Sequence, residues 1–218
     1  MRTPMLALAL AVWSVPAAGQ VVDEGTFVVR QAGREIGRED FSIETGRQGG
    51  APGTSLRTHV RFPSVRPQFE CEAILERRPG GEFVAAQFDI AGKAGARRIL
   101  AEASRQVLRI HTAANGSEAI REMPARPDLV ILDDSLFALY AAVAELASEG
   151  GTRLTGVFPR SGRRTAFLAR RVVPGNDSAS TRILLSGDLT GTIWMDEDGH
   201  VTRLEFPATR LEIQRLRH

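Results

Sequence analysis

The chain has 218 residues, 28 basic and 26 acidic, for a formal charge of +2. That balance gives no reason to expect nucleic acid or an acidic polymer as partner. A hydrophobic fraction of 43% is enough to bury a real core, and a lone cysteine, Cys71, rules out an internal disulfide.

The first nineteen residues, "MRTPMLALALAVWSVPAAG", read as a secretory signal peptide. Arg2 comes first, then an apolar run from Met5 to Val15, then the small-residue exit Ala17-Ala18-Gly19 before a cut at Gln20. The run is too short to anchor in a bilayer, and no later stretch approaches a membrane span. Without Arg2 the balance is 27 − 26 = +1. The expected location is periplasmic or secreted, with residues 20–218 as a single β-rich domain.

"GTFVVRQAGREIGREDFSIE" reads as two strands, Thr26–Arg30 and Glu35–Glu44, joined at Ala32-Gly33. Phe41 and Ile43 share a face with Glu39, the one polar residue among apolar neighbours there. "TGRQGGAPGTS" reads as a glycine-rich loop. In "QFECEAILER", Phe69, Cys71, Ala73 and Leu75 share a face, so Cys71 reads as a buried free thiol. The segments "GEFVAAQFDIAG", "ARRILAEAS", "RQVLRIHTA" and "EAIREMP" continue a meander. Six more strand-like runs fill the last third of the chain. The Asp-Gly of "WMDEDGHVTRLEF" marks a tight hairpin turn there. Short strands at this spacing point to an antiparallel sheet system.

One segment breaks the pattern. "DDSLFALYAAVAELASEGG" predicts a helix over about 134–148. Asp133 or Asp134 would cap its start and Gly150-Gly151 would stop it. Leu136, Leu139, Tyr140, Val143 and Leu146 form a core stripe. The other side carries Ala138, Ala141, Ala142 and Ala144 where a surface helix would carry charges, so the helix should be enclosed on more than one side.

Three segments together resemble the periplasmic half-barrel proteins of the lipoprotein-carrier (LolA-like) type, and in particular their uncharacterised relatives. They are "FVVRQAGREIGREDFSIE", "LVILDDSLFALYAAVAEL" and "GTIWMDEDGHVTRLEFP". The resemblance implies a curved antiparallel sheet, a half-barrel, enclosing one central helix, with an apolar cavity for acyl chains. The expected ligand-binding residues are Phe137, Leu139, Tyr140, Val143, Trp194 and Glu39.

Catalytic and metal patterns are not found. His59, His111, His200 and His218 are dispersed, and Asp196-Glu197-Asp198-Gly199 lacks the ligand spacing of a calcium loop. Asp133-Asp134 reads as a cap rather than an acid pair for hydrolysis. No catalytic residue, metal or cofactor is assigned, and the chain is not expected to be an enzyme. The expected partner is a lipid or other hydrophobic small molecule. The alternative is a non-catalytic envelope scaffold with a filled core, binding an envelope protein.

Overall fold

The structure is a computed structural model, and it describes residues 19–48, 51–173 and 180–216. The proposed signal segment up to residue 18, residues 174–179 and His218 lie outside the described residues.

Fifteen strands form one sheet among the described residues. The first eight are β1 (Gln20–Gln31), β2 (Arg34–Gln48), β3 (Ala51–Phe62), β4 (Phe69–Arg77), β5 (Phe83–Gly92), β6 (Arg97–Ser104), β7 (Val107–Ala114) and β8 (Ser117–Pro124). After β9 (Leu129–Ile131) comes the helix α1 (Tyr140–Leu146). Then follow β10 (Thr152–Phe158), β11 (Arg163–Val172), β12 (Thr181–Gly187), β13 (Gly191–Met195), β14 (Val201–Phe206) and β15 (Leu211–Arg215). The spatial order runs from β8 down to β1, then from β15 down to β9. Every pairing is antiparallel except β9 with β10. The β1–β15 pair joins the two meanders into one curved, unclosed sheet.

Alternation produces the core. Leu56, Cys71, Ala73, Leu75, Phe88, Ile99, Ile183, Ile193 and Ile213 are buried on the inner face, while their sequence neighbours point outward. β9 is the exception. Leu129, Val130, Ile131 and Leu132 are all buried, because β9 lies against β5 as well as beside β10. The edge of the sheet at β9 is thereby covered. The edge at β8 is exposed along almost its whole length.

The "TGRQGGAPGTS" loop expectation is corrected. β2 and β3 pair from Arg38↔Arg61 out to Gln48↔Ala51, so the segment is a long hairpin arm. The Ala32-Gly33 turn is as expected, with φ of 51° and 81° suiting a mirror-image tight turn. Gly37 has a packing reason to be glycine: a Cβ there would lie 2.0 Å from the Phe62 ring.

The helix is shorter than expected, seven residues and not about fifteen. The backbone before it is claimed by hydrogen bonds outside the helix, one long-range and one a local turn. Leu132 N–H donates to Val157 O at 2.9 Å, and Ser135 N–H donates to Asp133 Oδ1 at 2.8 Å. Asp133 and Asp134 therefore do not cap α1; its N-cap is Leu139, without a side-chain bond. At the other end Gly150-Gly151 is not the stop. Ala147 turns extended at φ −69°, ψ 137°, four residues before Gly151. Arg171 donates to the carbonyls of Ala144 (2.7 Å) and Ala147 (3.3 Å), and the Thr152 hydroxyl donates to Leu146 O (2.8 Å). A cation on the last carbonyls also suits the negative end of the helix.

The enclosure of the segment is as expected. Leu136, Leu139 and Val143 are buried, and so are Ala138, Ala142 and Ala144. Ala141 and Leu146 are half-buried.

Candidate functional site

Burial separates the six proposed ligand residues into two groups. Phe137, Leu139, Tyr140 and Val143 lie inside the curl of the sheet, with Glu39 beneath Phe137. Phe206 of β14 meets Tyr140 at 5.2 Å and Phe137 at 6.4 Å between ring centroids. Trp194 is not part of this group. Its neighbours Ile193 and Met195 are buried, so strand alternation turns Trp194 to the outer face, where the Arg203 guanidinium lies 5.0 Å from its ring. This corrects the expectation that Trp194 and the helix share a site.

Glu39 is fully buried, yet its carboxylate is saturated by its own chain. Phe137 N–H donates to Oε2 at 2.7 Å, Ala138 N–H donates to Oε1 at 3.1 Å, and the Thr58 hydroxyl donates to Oε1 at 2.6 Å. Burial pushes its pKa up from 4.5 to about 7, against the pull of these donors. Glu39 thus holds the turn that leads into α1, in the place the sequence reading gave to Asp133.

Asp133 serves a different bond. Arg160 meets it with two parallel contacts, Nε to Oδ2 at 2.9 Å and Nη2 to Oδ1 at 2.8 Å. Burial pushes the Asp133 carboxyl above its ordinary value, and the guanidinium opposes that. Arg160 also lies 5.0 Å from the Phe69 ring, so the loop after β10 is fastened across β4. Near the far end of α1, Glu145 accepts a bond from the buried Arg77 at 2.6 Å. Neither Arg77 nor Arg160 stands out in an arginine-rich chain, so no local pattern marks them as partners of these acids.

An open groove lies where this helix lead-in meets the sheet end carrying the Ala32-Gly33 turn. Its volume is about 710 Å³. Val29, Ile36, Phe62, Phe137 and Leu211 supply its apolar lining. Arg34, Glu35, Asp134 and Arg210 supply charge at its lip. Both acids are engaged from outside the groove: Glu35 by Arg38 at 2.9 Å, and Asp134 by Arg163. The Arg38 bond holds the Glu35 carboxyl below its usual range. Arg34 and Arg210 form no ion pair among the described residues, so the lip is left net basic. Of the six proposed residues, only Phe137 lines this groove. Ile36, Phe62 and Leu211 were not singled out from the sequence, because three distant segments bring them together.

Beyond Asp134 a second groove of about 510 Å³ continues along the same end, past Phe69 and Ile90. Elsewhere Cys71 is buried and free, its thiol pushed up to about 12 by burial. The one set of side chains spaced for a cation among the described residues is Asp196, Asp198 and His200. Asp196 Oδ1 there accepts the His200 N–H at 2.8 Å, which closes the expected hairpin turn.

No family model matches the chain, and no curated protein does. Among solved structures, a DUF1089 family protein from Pseudomonas aeruginosa is similar at a TM-score of 0.44 and 14% identity. That alignment covers 98% of this chain and 100% of the other. Similarity at that level says nothing about what either chain binds.

Proposed function

We propose that the protein is an exported, non-catalytic binding protein, periplasmic or secreted, that holds a lipid or other hydrophobic molecule. The curved sheet and α1 would make a half-barrel of the lipoprotein-carrier type. The observation that carries this reading is the groove of about 710 Å³, apolar along Val29, Ile36, Phe62, Phe137 and Leu211 and basic at its lip. An amphipathic molecule suits it, with its chain on the half-buried Ile36, Phe62 and Leu211 and its head group beside Arg34 and Arg210. The ligand sits at the mouth in this reading, since Leu136, Leu139 and Val143 fill the space under the helix.

A second reading rests on that same filling: an envelope scaffold in which the helix serves only as core. Two measurements decide between them. The intact mass of protein from the cell envelope tests export, with a mature N-terminus at or near Gln20 expected. Mass spectrometry of lipids that co-purify with the parent and with Ile36→Glu tests binding. The carrier reading expects a defined lipid class on the parent that is depleted on the variant, and the scaffold reading expects none on either.

A further inference from the structure

The outward face of β10 to β13 has a repeating composition. Three cross-strand pairs each set an arginine beside a large apolar residue: Arg153↔Leu168, Arg170↔Leu184 and Arg182↔Trp194. All six point away from the core. Leu168 is 38% exposed, the three arginines are exposed, and Leu184 and Trp194 are half-exposed. None of the three arginines forms an ion pair among the described residues.

The outer face of β2 to β8 is built differently. Three of its arginines are matched to acids, Arg61 with Asp40, Arg98 with Asp89 and Arg109 with Glu122, while Arg57 on β3 stands alone without an exposed apolar cross-strand neighbour of the Leu168 kind. The chain's arginine richness therefore does not explain the patch. What distinguishes it is the lack of acidic partners together with interleaved apolar side chains.

We infer that this face docks on an anionic phospholipid surface. Unpaired arginines supply attraction to phosphate head groups, and each one near such a surface contributes independently. Leucine and tryptophan between them suit the boundary between head groups and acyl chains, where an arginine can lay its alkyl stem along the apolar layer and keep its charge in water. A soluble polyanion would use the charge but leave Leu168 and Leu184 without a role. The face lies outside the groove described above, so the inference stands independently of the ligand reading.

The test is sedimentation of the purified protein with vesicles of phosphatidylcholine, with and without phosphatidylglycerol. Binding is expected only to the vesicles that contain phosphatidylglycerol. Trp194 emission, taken as the difference from Trp194→Phe, should shift to the blue and be quenched by brominated lipids. Replacing Arg153, Arg170 and Arg182 together by Gln should weaken binding on the order of 100-fold, with an unchanged thermal melt. The same change at Arg57, Arg105 and Arg126, exposed elsewhere, should leave most of it. Equal binding by the patch variant, no response at Trp194, or no preference for phosphatidylglycerol would each overturn the inference. So would heparin binding that competes fully with the vesicles. Should the patch variant fail to fold, quenching of Trp194 in the parent decides alone.

Discussion

The Glu39 carboxylate on β2 accepts the backbone N–H of Phe137 at 2.7 Å, across 98 residues of sequence. A strand near the start of the chain thus fixes the approach to a helix near its middle. Two buried backbone amides of the turn ahead of α1 are satisfied by a side chain from another element. Replacing Glu39 with Ala would strand both donors in the core, at a cost of about 2–4 kcal/mol. Urea denaturation of parent and variant measures it.

The same residue gives stability a pH dependence. Its pKa is raised from 4.5 to about 7, so the folded state binds the proton more tightly than the unfolded chain does. The stability gained from that proton is fully present below pH 4.5 and lost as pH rises through 7. The loss attributable to Glu39 is about 3 kcal/mol. Denaturation midpoints at several pH values should show this fall in the parent and not in Glu39→Gln. Parallel profiles for the two proteins would contradict it.

Asp133 and Arg160 give a second test, with compensation. Arg160→Met leaves a buried carboxylate without its partner and should cost about 3–5 kcal/mol. Adding Asp133→Asn should restore a good part of that, since the uncompensated charge is gone. A thermal melt of the two variants reads both effects. Equal stability of the single and double variants would mean that the pair is not coupled.

Leu139→Asp and Ala138→Asp each place a charge at a site that the structure buries, at 1% and 3% exposure. Both should lower stability by several kcal/mol. The alanine variant is the sharper of the two. A melt unchanged by Ala138→Asp would put the alanine side of the segment in solvent.

Particular residues show how far the sequence could be read. Strand alternation made the inner faces legible, as at Cys71, Ala73 and Leu75, and an apolar segment with alanines on its far side signalled enclosure. Glu39 was visible as a lone acid on an apolar face, but its partner was not, because a contact across 98 residues leaves no local pattern. The helix was overextended for the same reason. "DDSLFAL" has good helical composition, and long-range bonds to Glu39, Val157 and Arg160 override it. Trp194 was assigned to the ligand site because its neighbours are apolar. The alternation of β13 puts it on the opposite face, so its emission should not respond to a ligand in the groove.

Calorimetric titration of fatty acids and lysophospholipids of increasing chain length into the parent and Ile36→Glu tests the binding function most directly. Each buried methylene contributes up to about 0.8 kcal/mol, so affinity should rise with chain length and reach roughly micromolar for long chains. Ile36→Glu, which charges the groove at a half-buried site, should weaken binding at least about tenfold with little loss of stability. No saturable heat for any of these lipids, or affinities that Ile36→Glu does not change, would contradict the account.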